Sequence, residues 1–254
     1  MPTKSDFSLD IAAIQNALSP HTACIIINSP NNPTGKIYSH AEIAALAACL
    51  HDFATSRGAH SLDTEPAQNA PLLICDEPYR EIVYDGATVP SVFPLYDNAI
   101  IVSSFAKDLS LAGERIGYIA VNPKMANQKE VVSALIFANR TLGYVNANAF
   151  FQRVIARAGE SGASGLLTEK PDFSHYAKCR SLVMQILDKA GIEYAVPQGA
   201  FYVFAKSLRR EKQDTYKLMP IFVRTSKNIW CYALPEAALE RQECSESPTA
   251  HRSA

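Results

Sequence analysis

The stretch Ala99-Ile100-Ile101-Val102-Ser103-Ser104-Phe105-Ala106-Lys107 joins an apolar run to a turn of small residues. The apolar run predicts a short buried strand, and the turn places one lysine at the end of that strand. The sequence then continues through a segment that contains Arg115 and ends at Gly117. A lysine amine held in a fixed position can act as a covalent nucleophile or move a proton. Lys107 is therefore the first candidate catalytic residue.

The same stretch also fits a Ser-x-x-Lys pattern, with Ser104 as the serine and Lys107 as the lysine. That pattern is typical of penicillin-binding proteins and class A β-lactamases, which also carry Ser-Asp-Asn and Lys-Thr-Gly motifs. Neither of these partner motifs occurs in the sequence. We therefore set the serine-hydrolase interpretation aside.

A second apolar run, Leu72-Leu73-Ile74-Cys75, leads directly into Asp76-Glu77-Pro78-Tyr79. This pattern predicts a buried strand with a carboxylate at its C-terminal edge, where ligands bind in open α/β sheets. An Asp-Glu pair after a strand is also typical of nucleotide hydrolases. The glycine-rich Gly-x-x-x-x-Gly-Lys-Ser/Thr loop of those enzymes is not in the sequence. Asp76 and Tyr79 are thus further candidate site residues.

A third apolar run, Cys24-Ile25-Ile26-Ile27, meets the turn formers Asn28-Ser29-Pro30-Asn31-Asn32-Pro33-Thr34-Gly35. Taken alone, this segment predicts a strand followed by an ordinary loop. The three motifs together, in this order and each after a predicted strand, resemble class I/II aminotransferases, which use pyridoxal 5'-phosphate (PLP). The resemblance covers roughly residues 5 to 205.

The resemblance implies a role for six residues, beginning with the lysine. Lys107 would hold PLP as a Schiff base and later move a proton between the substrate's α carbon and the cofactor. Asp76 would keep the pyridine nitrogen protonated, which makes the ring an electron sink. The phenolic oxygen of the ring would accept hydrogen bonds from Asn32 and Tyr79.

The remaining two residues would bind the phosphate of PLP. The resemblance assigns this contact to Ser104 and Arg115, with the arginine using its fork of donors. The substrates would be an amino acid and a 2-oxo acid, and the family implies a homodimer whose interface is incomplete in this chain.

The alternation of strand and helix patterns predicts an α/β fold with a mostly parallel sheet flanked by helices. We expect a partial large PLP-binding domain over residues 1–123, a linking helical region over 124–169 and part of a small α+β domain over 170–254. In the first part of the chain we predict a helix over Leu9–Leu18, a helix from the capping box of Ser39 and Glu42 to about Phe53, and a surface loop over Thr55–Asn69. Strands near Ile100 and Tyr118 follow. The second part is predicted to contain helices over Met125–Ala158, with a break at 143–146, and over Tyr176–Ala190, and then a hairpin of Tyr194–Val196 with Phe201–Phe204.

The composition excludes several classes of function. The chain has 254 residues, 48% of them hydrophobic, and its formal net charge of -1 argues against a general nucleic-acid or membrane binder. The six cysteines lack metal-ligand spacing, so we predict no metal site. Free thiols in a reducing cytoplasm are expected instead of disulfides, which favours a cytoplasmic location.

Both ends of the chain depart from the family pattern. We find no counterpart of the family's N-terminal segment, which includes a loop around the cofactor phosphate and an aromatic residue that stacks on the ring. From about residue 207 the sequence becomes charged and patternless, and the arginine that binds the substrate's α-carboxylate is absent in this frame. A shifted reading frame across Asn228 to Thr249 can encode a glycine-rich run followed by an arginine. We therefore hypothesise a frameshift between about Lys206 and Met219.

The sequence leaves three interpretations of function open. The first is a PLP-dependent aminotransferase that moves an amino group from an amino acid to a 2-oxo acid. The second is a non-catalytic remnant that retains Asp76, Tyr79, Lys107 and Arg115 but holds neither PLP nor substrate well enough to turn over. The third is a PLP-dependent lyase of the same fold, because motifs for cofactor binding do not separate elimination from transamination.

Overall fold

The computed structural model describes residues 3–58, 70–158 and 172–206. Four strands form its main sheet in chain order: β1 (Cys24–Asn28), β2 (Leu72–Asp76), β3 (Ala99–Ser104) and β4 (Gly117–Val121). The first three strands are parallel, and β4 is antiparallel to β3. The prediction of a mostly parallel α/β sheet is confirmed.

Two N-terminal helices build the hydrophobic core with this sheet. They are α1 (Ile11–Ala17) and α2 (His40–Gly58). Alternate residues of the strands point to the helices, because side chains in a strand alternate between its two faces. The core cluster accordingly contains, from the strands, Ile25, Ile27, Leu73 and Cys75 and, from the helices, Ile14, Ile43, Leu46 and Leu50.

The predicted capping box at the start of α2 is confirmed. The backbone N–H of Ser39 donates to the Glu42 carboxylate at 2.8 Å, and the Glu42 N–H donates to the Ser39 hydroxyl at 3.3 Å. The end of the helix was predicted too early, since α2 continues to Gly58 through the start of the predicted loop. The Thr55 hydroxyl donates to the His51 carbonyl, so this polar residue bonds within the helix instead of ending it.

The segment that carries the candidate lysine differs from its prediction. Strand β3 extends through Ser103 and Ser104, and a one-turn helix, α3 (Phe105–Asp108), follows in place of a turn. Lys107 thus lies on α3. A 3₁₀ turn over Ala112–Glu114 then leads to β4.

The predicted linking region consists of two helices, α4 (Gln128–Thr141) and α5 (Ala149–Ala158), and its predicted break lies between them. Neither helix has a buried residue. Large apolar side chains are exposed on and between them, namely Ile136, Phe137, Leu142, Tyr144, Val145 and Phe150. This region therefore presents an apolar surface.

The C-terminal part contains α6 (Ser174–Lys189) and a two-stranded antiparallel sheet of β5 (Tyr194–Ala195) and β6 (Phe204–Ala205). The predicted helix is confirmed. The second hairpin strand was placed too early, because Phe201–Val203 belong to the connection and β6 begins at Phe204. The connection instead packs back on the loop after β1.

The contact between that connection and the loop after β1 is very close at Gly35. The backbone N–H groups of Gln198 and Gly199 both donate to the Gly35 carbonyl, at 2.8 and 3.0 Å. A Cβ atom on Gly35 would lie 2.4 Å from the Cβ of Pro197. Only a glycine allows this approach, and its φ of +68° also favours glycine.

Some predictions lie outside the described residues. These are the remainder of the loop predicted up to Asn69, the end of the linking region, the tail from about residue 207 and the frameshift within it. Within the ranges that the structure describes, no helix is long and apolar enough to cross a membrane.

Candidate functional site

The site begins at the C-terminal ends of β1 and β2, where Asn28 and Asp76 are register partners. Both residues end their strands, so their side chains meet at one edge of the sheet. The Asn28 amide Nδ2 donates to a carboxylate oxygen of Asp76 at 3.0 Å and to the Asp76 carbonyl at 3.0 Å. The Asp76 carboxylate is thus fixed in place by a neutral donor.

Two opposing effects act on the Asp76 carboxyl. Burial raises its pKa, because desolvation disfavours the charged form. The hydrogen bond from Asn28 opposes this rise, since it stabilises the ionised carboxylate. Burial is the larger of the two effects. A cation held against Asp76 would favour the ionised form further.

Asn28 also connects Asp76 to the loop that carries Asn32. The Asn28 side-chain oxygen accepts a hydrogen bond from the Asn32 backbone N–H at 2.7 Å. Asn31 supports the same loop, because its side-chain oxygen accepts from the Thr34 hydroxyl at 2.8 Å. The position of the Asn32 side chain therefore depends on the strand end at Asn28.

The side chains of Asn32 and Tyr79 converge on one phenolic oxygen, that of Tyr202. The Asn32 amide Nδ2 donates to the Tyr202 hydroxyl at 3.3 Å. The hydroxyls of Tyr79 and Tyr202 lie 2.6 Å apart. Asn32, Tyr79 and Tyr202 thus form one polar cluster, although Tyr202 comes from the connection between β5 and β6.

Tyr79 is buried at 4% exposure. Burial, followed by the hydrogen bond to Tyr202, raises the pKa of its phenol, so this hydroxyl stays protonated and remains a donor. The ring of Tyr79 also meets the ring of Phe201 edge-on, with centroids 5.2 Å apart. Phe201 in turn stacks on Tyr176 at 5.7 Å. An apolar wall therefore backs the polar cluster.

Lys107 also contacts this wall. Its ammonium group is 5.7 Å from the centroid of the Phe201 ring, within the range of a cation–π contact. Phe201 therefore connects the lysine to Tyr79. Helix α3 begins immediately after β3, so the end of the sheet also positions Lys107.

The two predicted phosphate ligands are not joined to this cluster by any contact among the described residues. The Ser104 side chain makes no capping hydrogen bond to α3. The Arg115 side chain is directed to its own turn, where Nη1 donates to the Ala112 carbonyl at 3.0 Å. Gly117 lies directly against Ser104, since a Cβ there would approach the Cα of Ser104 to 3.2 Å. Gly117 thus brings β4 close to Ser104, and Arg115 lies in the turn that precedes β4.

Asp108, the residue after Lys107, is an unusual acid within α3. Its Oδ1 is buried and has no hydrogen-bond partner among the described residues. Burial, reinforced by the negative charge of Glu81, raises the pKa of Asp108 to about 7. The Asp108 carboxyl therefore carries a proton through much of the acidic range.

A separate cavity of about 500 Å³ lies between the N-terminal segment and the β5–β6 hairpin. Its walls include Asp6, Lys36, Glu193 and Phe204. None of the six predicted site residues lines this cavity. The candidate site is therefore defined by its contacts and not by this cavity.

The donor set of the cluster fits PLP. The cofactor offers a phenolic oxygen, and Asn32 and Tyr79 already converge on the phenolic oxygen of Tyr202. The cofactor also has a ring nitrogen that can be protonated, and Asp76 supplies a half-buried carboxylate in the same hydrogen-bonded network through Asn28. The residues present thus match the polar groups on the two edges of the PLP ring.

Three residues of the candidate site were not identified from the sequence, namely Asn28, Phe201 and Tyr202. A signal existed for Asn28, because it is the polar residue that ends an apolar strand. The register that pairs it with Asp76 was not readable from the sequence, however. Tyr202 and Phe201 lie in a segment predicted as a strand, and only the folded connection brings them to Tyr79.

Comparison with known proteins identifies relatives over most of the chain. The sequence model described as "Aminotransferase class I and II" matches residues 1–57 and 63–234. An aromatic-amino-acid aminotransferase of Thermococcus litoralis is 27% identical over 80% of this chain and 47% of its own length. A probable aspartate/prephenate aminotransferase of Thermus aquaticus is 30% identical over 78% of this chain and 45% of its own length.

Solved structures give the same result. An amino transferase from Eubacterium rectale superposes with a TM-score of 0.71 at 37% identity, over 82% of this chain and 48% of the other. N-succinyldiaminopimelate aminotransferase from Mycobacterium tuberculosis superposes with a TM-score of 0.61 at 27% identity, over 81% and 48%. The chain thus spans about half the length of the relatives it matches.

Proposed function

Since the chain belongs to the class I and II aminotransferase family, we propose that it takes part in amino-group transfer from an amino acid to a 2-oxo acid, with PLP as its cofactor. The family is PLP-dependent. The observation that carries the proposal is the convergence of Asn32 and Tyr79 on one phenolic oxygen beside the Asn28–Asp76 pair. Two donors and a nearby carboxylate suit the two edges of the PLP ring.

When bound, PLP supplies an electron sink for the electrons left at the substrate's α carbon. The chain's contribution begins with Asp76, whose carboxylate would accept a hydrogen bond from the protonated ring nitrogen. Asn28 favours the ionised carboxylate by donating to it. The phenolic oxygen of PLP would accept a hydrogen bond from the Tyr79 hydroxyl and another from Nδ2 of Asn32.

Lys107 would hold the cofactor covalently through Nζ and would later carry the proton to and from the substrate's α carbon. Its position supports this role, because Phe201 contacts both Lys107 and Tyr79. The apolar wall of Phe201 and Tyr176 would also keep water from that face of the site.

The phosphate would be bound by Ser104 and Arg115. Ser104 lies at the start of α3 with a half-buried side chain that makes no capping bond there. Arg115 would have to exchange its bond to the Ala112 carbonyl for the phosphate oxygens. Charge-assisted bonds to phosphate are stronger than a bond to a neutral carbonyl, which favours this exchange.

The oligomeric state, the location and the domain division of this protein are also proposals. We expect a homodimer, and the exposed apolar side chains on and between α4 and α5 provide a surface that association would cover. We expect a cytoplasmic location. Over the described residues, all four cysteines are free, namely Cys24, Cys49, Cys75 and Cys179. The domain division at residues 123 and 169 also stays a prediction.

A non-catalytic remnant is the second candidate function. The observation in its favour is the position of Arg115, which is exposed and bonded to its own turn instead of to the candidate cluster. A chain that retains the cluster but cannot hold the phosphate would bind PLP weakly and would not turn over.

An assay of the half-reaction separates the two candidates. Purified chain is mixed with PLP and a panel of amino acids, and the 2-oxo acid formed is measured. Aminotransferase function predicts product from the wild type and from Lys124→Ala, which removes an exposed lysine, but none from Lys107→Ala. Equal product from all three proteins would contradict a role for Lys107. A lack of product from the wild type would favour the remnant.

A further inference from the structure

Asn32 and Tyr79, the two residues proposed to bind the phenolic oxygen of PLP, both contact the hydroxyl of Tyr202. This hydroxyl is 2.6 Å from the Tyr79 hydroxyl and 3.3 Å from the Asn32 amide nitrogen. These contacts join residues that are 123 and 170 positions apart in the chain. They therefore depend on the tertiary fold.

The backbone around Tyr202 is firmly anchored. The Ala200 N–H donates to the Ile82 carbonyl at 2.9 Å, and the Tyr84 hydroxyl donates to the Ala200 carbonyl at 2.5 Å. A Cβ on Gly199 would meet Pro30 at 2.8 Å, so this glycine packs directly on the loop after β1. After Tyr202 the backbone is held by the pairing of β6 with β5. Movement of the Tyr202 hydroxyl must therefore come from rotation of its side chain.

One position cannot hold two oxygen atoms. Hydrogen-bonded oxygens approach no closer than about 2.5 Å, and the space between Tyr79 and Asn32 already holds the Tyr202 oxygen. The Tyr79 hydroxyl has one proton to donate, so a second phenolic oxygen that accepts it must displace the Tyr202 oxygen as its acceptor. The Tyr202 hydroxyl and the cofactor's phenolic oxygen therefore compete for the Tyr79 donor.

We propose that Tyr202 is a gate on the cofactor site: its phenol takes the place of the cofactor's phenolic oxygen and rotates away when PLP enters. The proposal rests on the proposed roles of Asn32 and Tyr79. The Tyr202 hydroxyl is a hydrogen-bond partner of the buried Tyr79 hydroxyl, so PLP can take its place only at the expense of that bond. The Tyr202 hydroxyl keeps the side chains of Asn32 and Tyr79 in the positions from which they would bind PLP. PLP must displace this hydroxyl in order to bind.

The variant Tyr202→Phe tests the gate because it keeps the ring and removes the competing oxygen. Binding of PLP is measured by absorbance titration of the full chain. Loss of the competitor predicts binding about threefold to tenfold tighter than in the wild type, the range that one typical hydrogen bond provides. The matched control is Tyr194→Phe, which removes a hydroxyl bonded to Asp188 away from the site and should leave the affinity unchanged.

The outcomes separate the gate from the proposed function. If the wild type binds PLP and Tyr202→Phe binds it equally or more weakly, the gate is wrong and the cofactor assignment stands. If neither protein binds PLP, the proposed function fails and the gate fails with it.

A second measurement needs no variant of Tyr202. With tyrosines carrying a ¹³C label at Cζ, NMR of the wild type should show the Tyr79 and Tyr202 resonances moving together during titration with PLP. The Tyr194 resonance serves as the internal control. A Tyr202 resonance that stays fixed while PLP saturates the chain would overturn the gate.

Discussion

Asn28 and Asp76 are partners at the ends of two parallel strands, and the Asn28 amide donates to the Asp76 carboxylate at 3.0 Å. The bond opposes the rise in the pKa of Asp76 that burial causes. The register of the two strands thus places the Asn28 amide on the strand next to Asp76, whose carboxylate we propose faces the ring nitrogen of PLP.

Asn28→Ala should raise the pKa of Asp76 further, because burial then acts on the carboxyl without an opposing donor. The free energy of unfolding should also fall by about 1–3 kcal/mol at neutral pH, as expected when a hydrogen bond to a charged group is lost. NMR titration of the carboxyl carbon measures the first effect, and urea unfolding measures the second. Asn98→Ala, which removes a bond to the Ala70 carbonyl, is the control and should leave the pKa of Asp76 unmoved.

Asp108 should make the stability of the chain depend on pH. Its pKa is raised from 3.8 to about 7, so the folded state holds a proton that the unfolded state releases between these values. The free energy of unfolding should therefore fall as pH rises from about 4 to about 7. Asp108→Asn removes this dependence and should be more stable than the wild type at pH 8, by roughly 1–2 kcal/mol because solvent partly screens this carboxyl.

Urea unfolding at several pH values tests this prediction. Asp97→Asn, which replaces an exposed aspartate, is the control and should keep the slope of the wild type. A slope that survives in Asp108→Asn would show that another group causes the dependence.

Gly35→Ala should destabilise the fold more than Gly86→Ala. Both glycines have positive φ, +68° and +73°, so alanine is strained by about 1 kcal/mol at either position. A Cβ at Gly35 would overlap Pro197, whereas nothing lies within 4 Å of one at Gly86. The overlap should cost about 1–3 kcal/mol more.

The difference in the free energy of unfolding between the two alanine variants isolates this overlap. Equal losses would mean that the loop after β1 does not pack on the β5–β6 connection. The contact between the loop that carries Asn32 and the connection that carries Tyr202 would then not exist.

The sequence predicted the scaffold well because periodicity and turn residues report on local structure. The apolar runs before Asn28 and Asp76 became parallel strands, and the capping box of Ser39 and Glu42 formed as expected. The predictions failed where a local signal was overruled, as at Thr55, whose hydroxyl bonds within the helix. The turn predicted around Lys107 was also wrong, because β3 continues through Ser103 and Ser104 and a one-turn helix follows.

The missed residues share a physical cause. Tyr202 and Phe201 reach Tyr79 only through long-range packing, and no local pattern encodes a contact between residues so far apart. The role of Arg115 as a phosphate ligand stays a prediction, and its side chain is bonded to the Ala112 carbonyl. Motif spacing gives the identity of candidate residues, and tertiary contacts decide which of them meet.

If these side chains form a PLP site around Lys107, borohydride reduction should fix the cofactor to that lysine. Purified chain is mixed with PLP, reduced with borohydride and digested, and the added pyridoxyl mass is located by peptide mass spectrometry. We expect a pyridoxyl group confined to Lys107 and its loss in Lys107→Ala. Labelling spread over several lysines, or no labelling, would contradict a PLP site at Lys107.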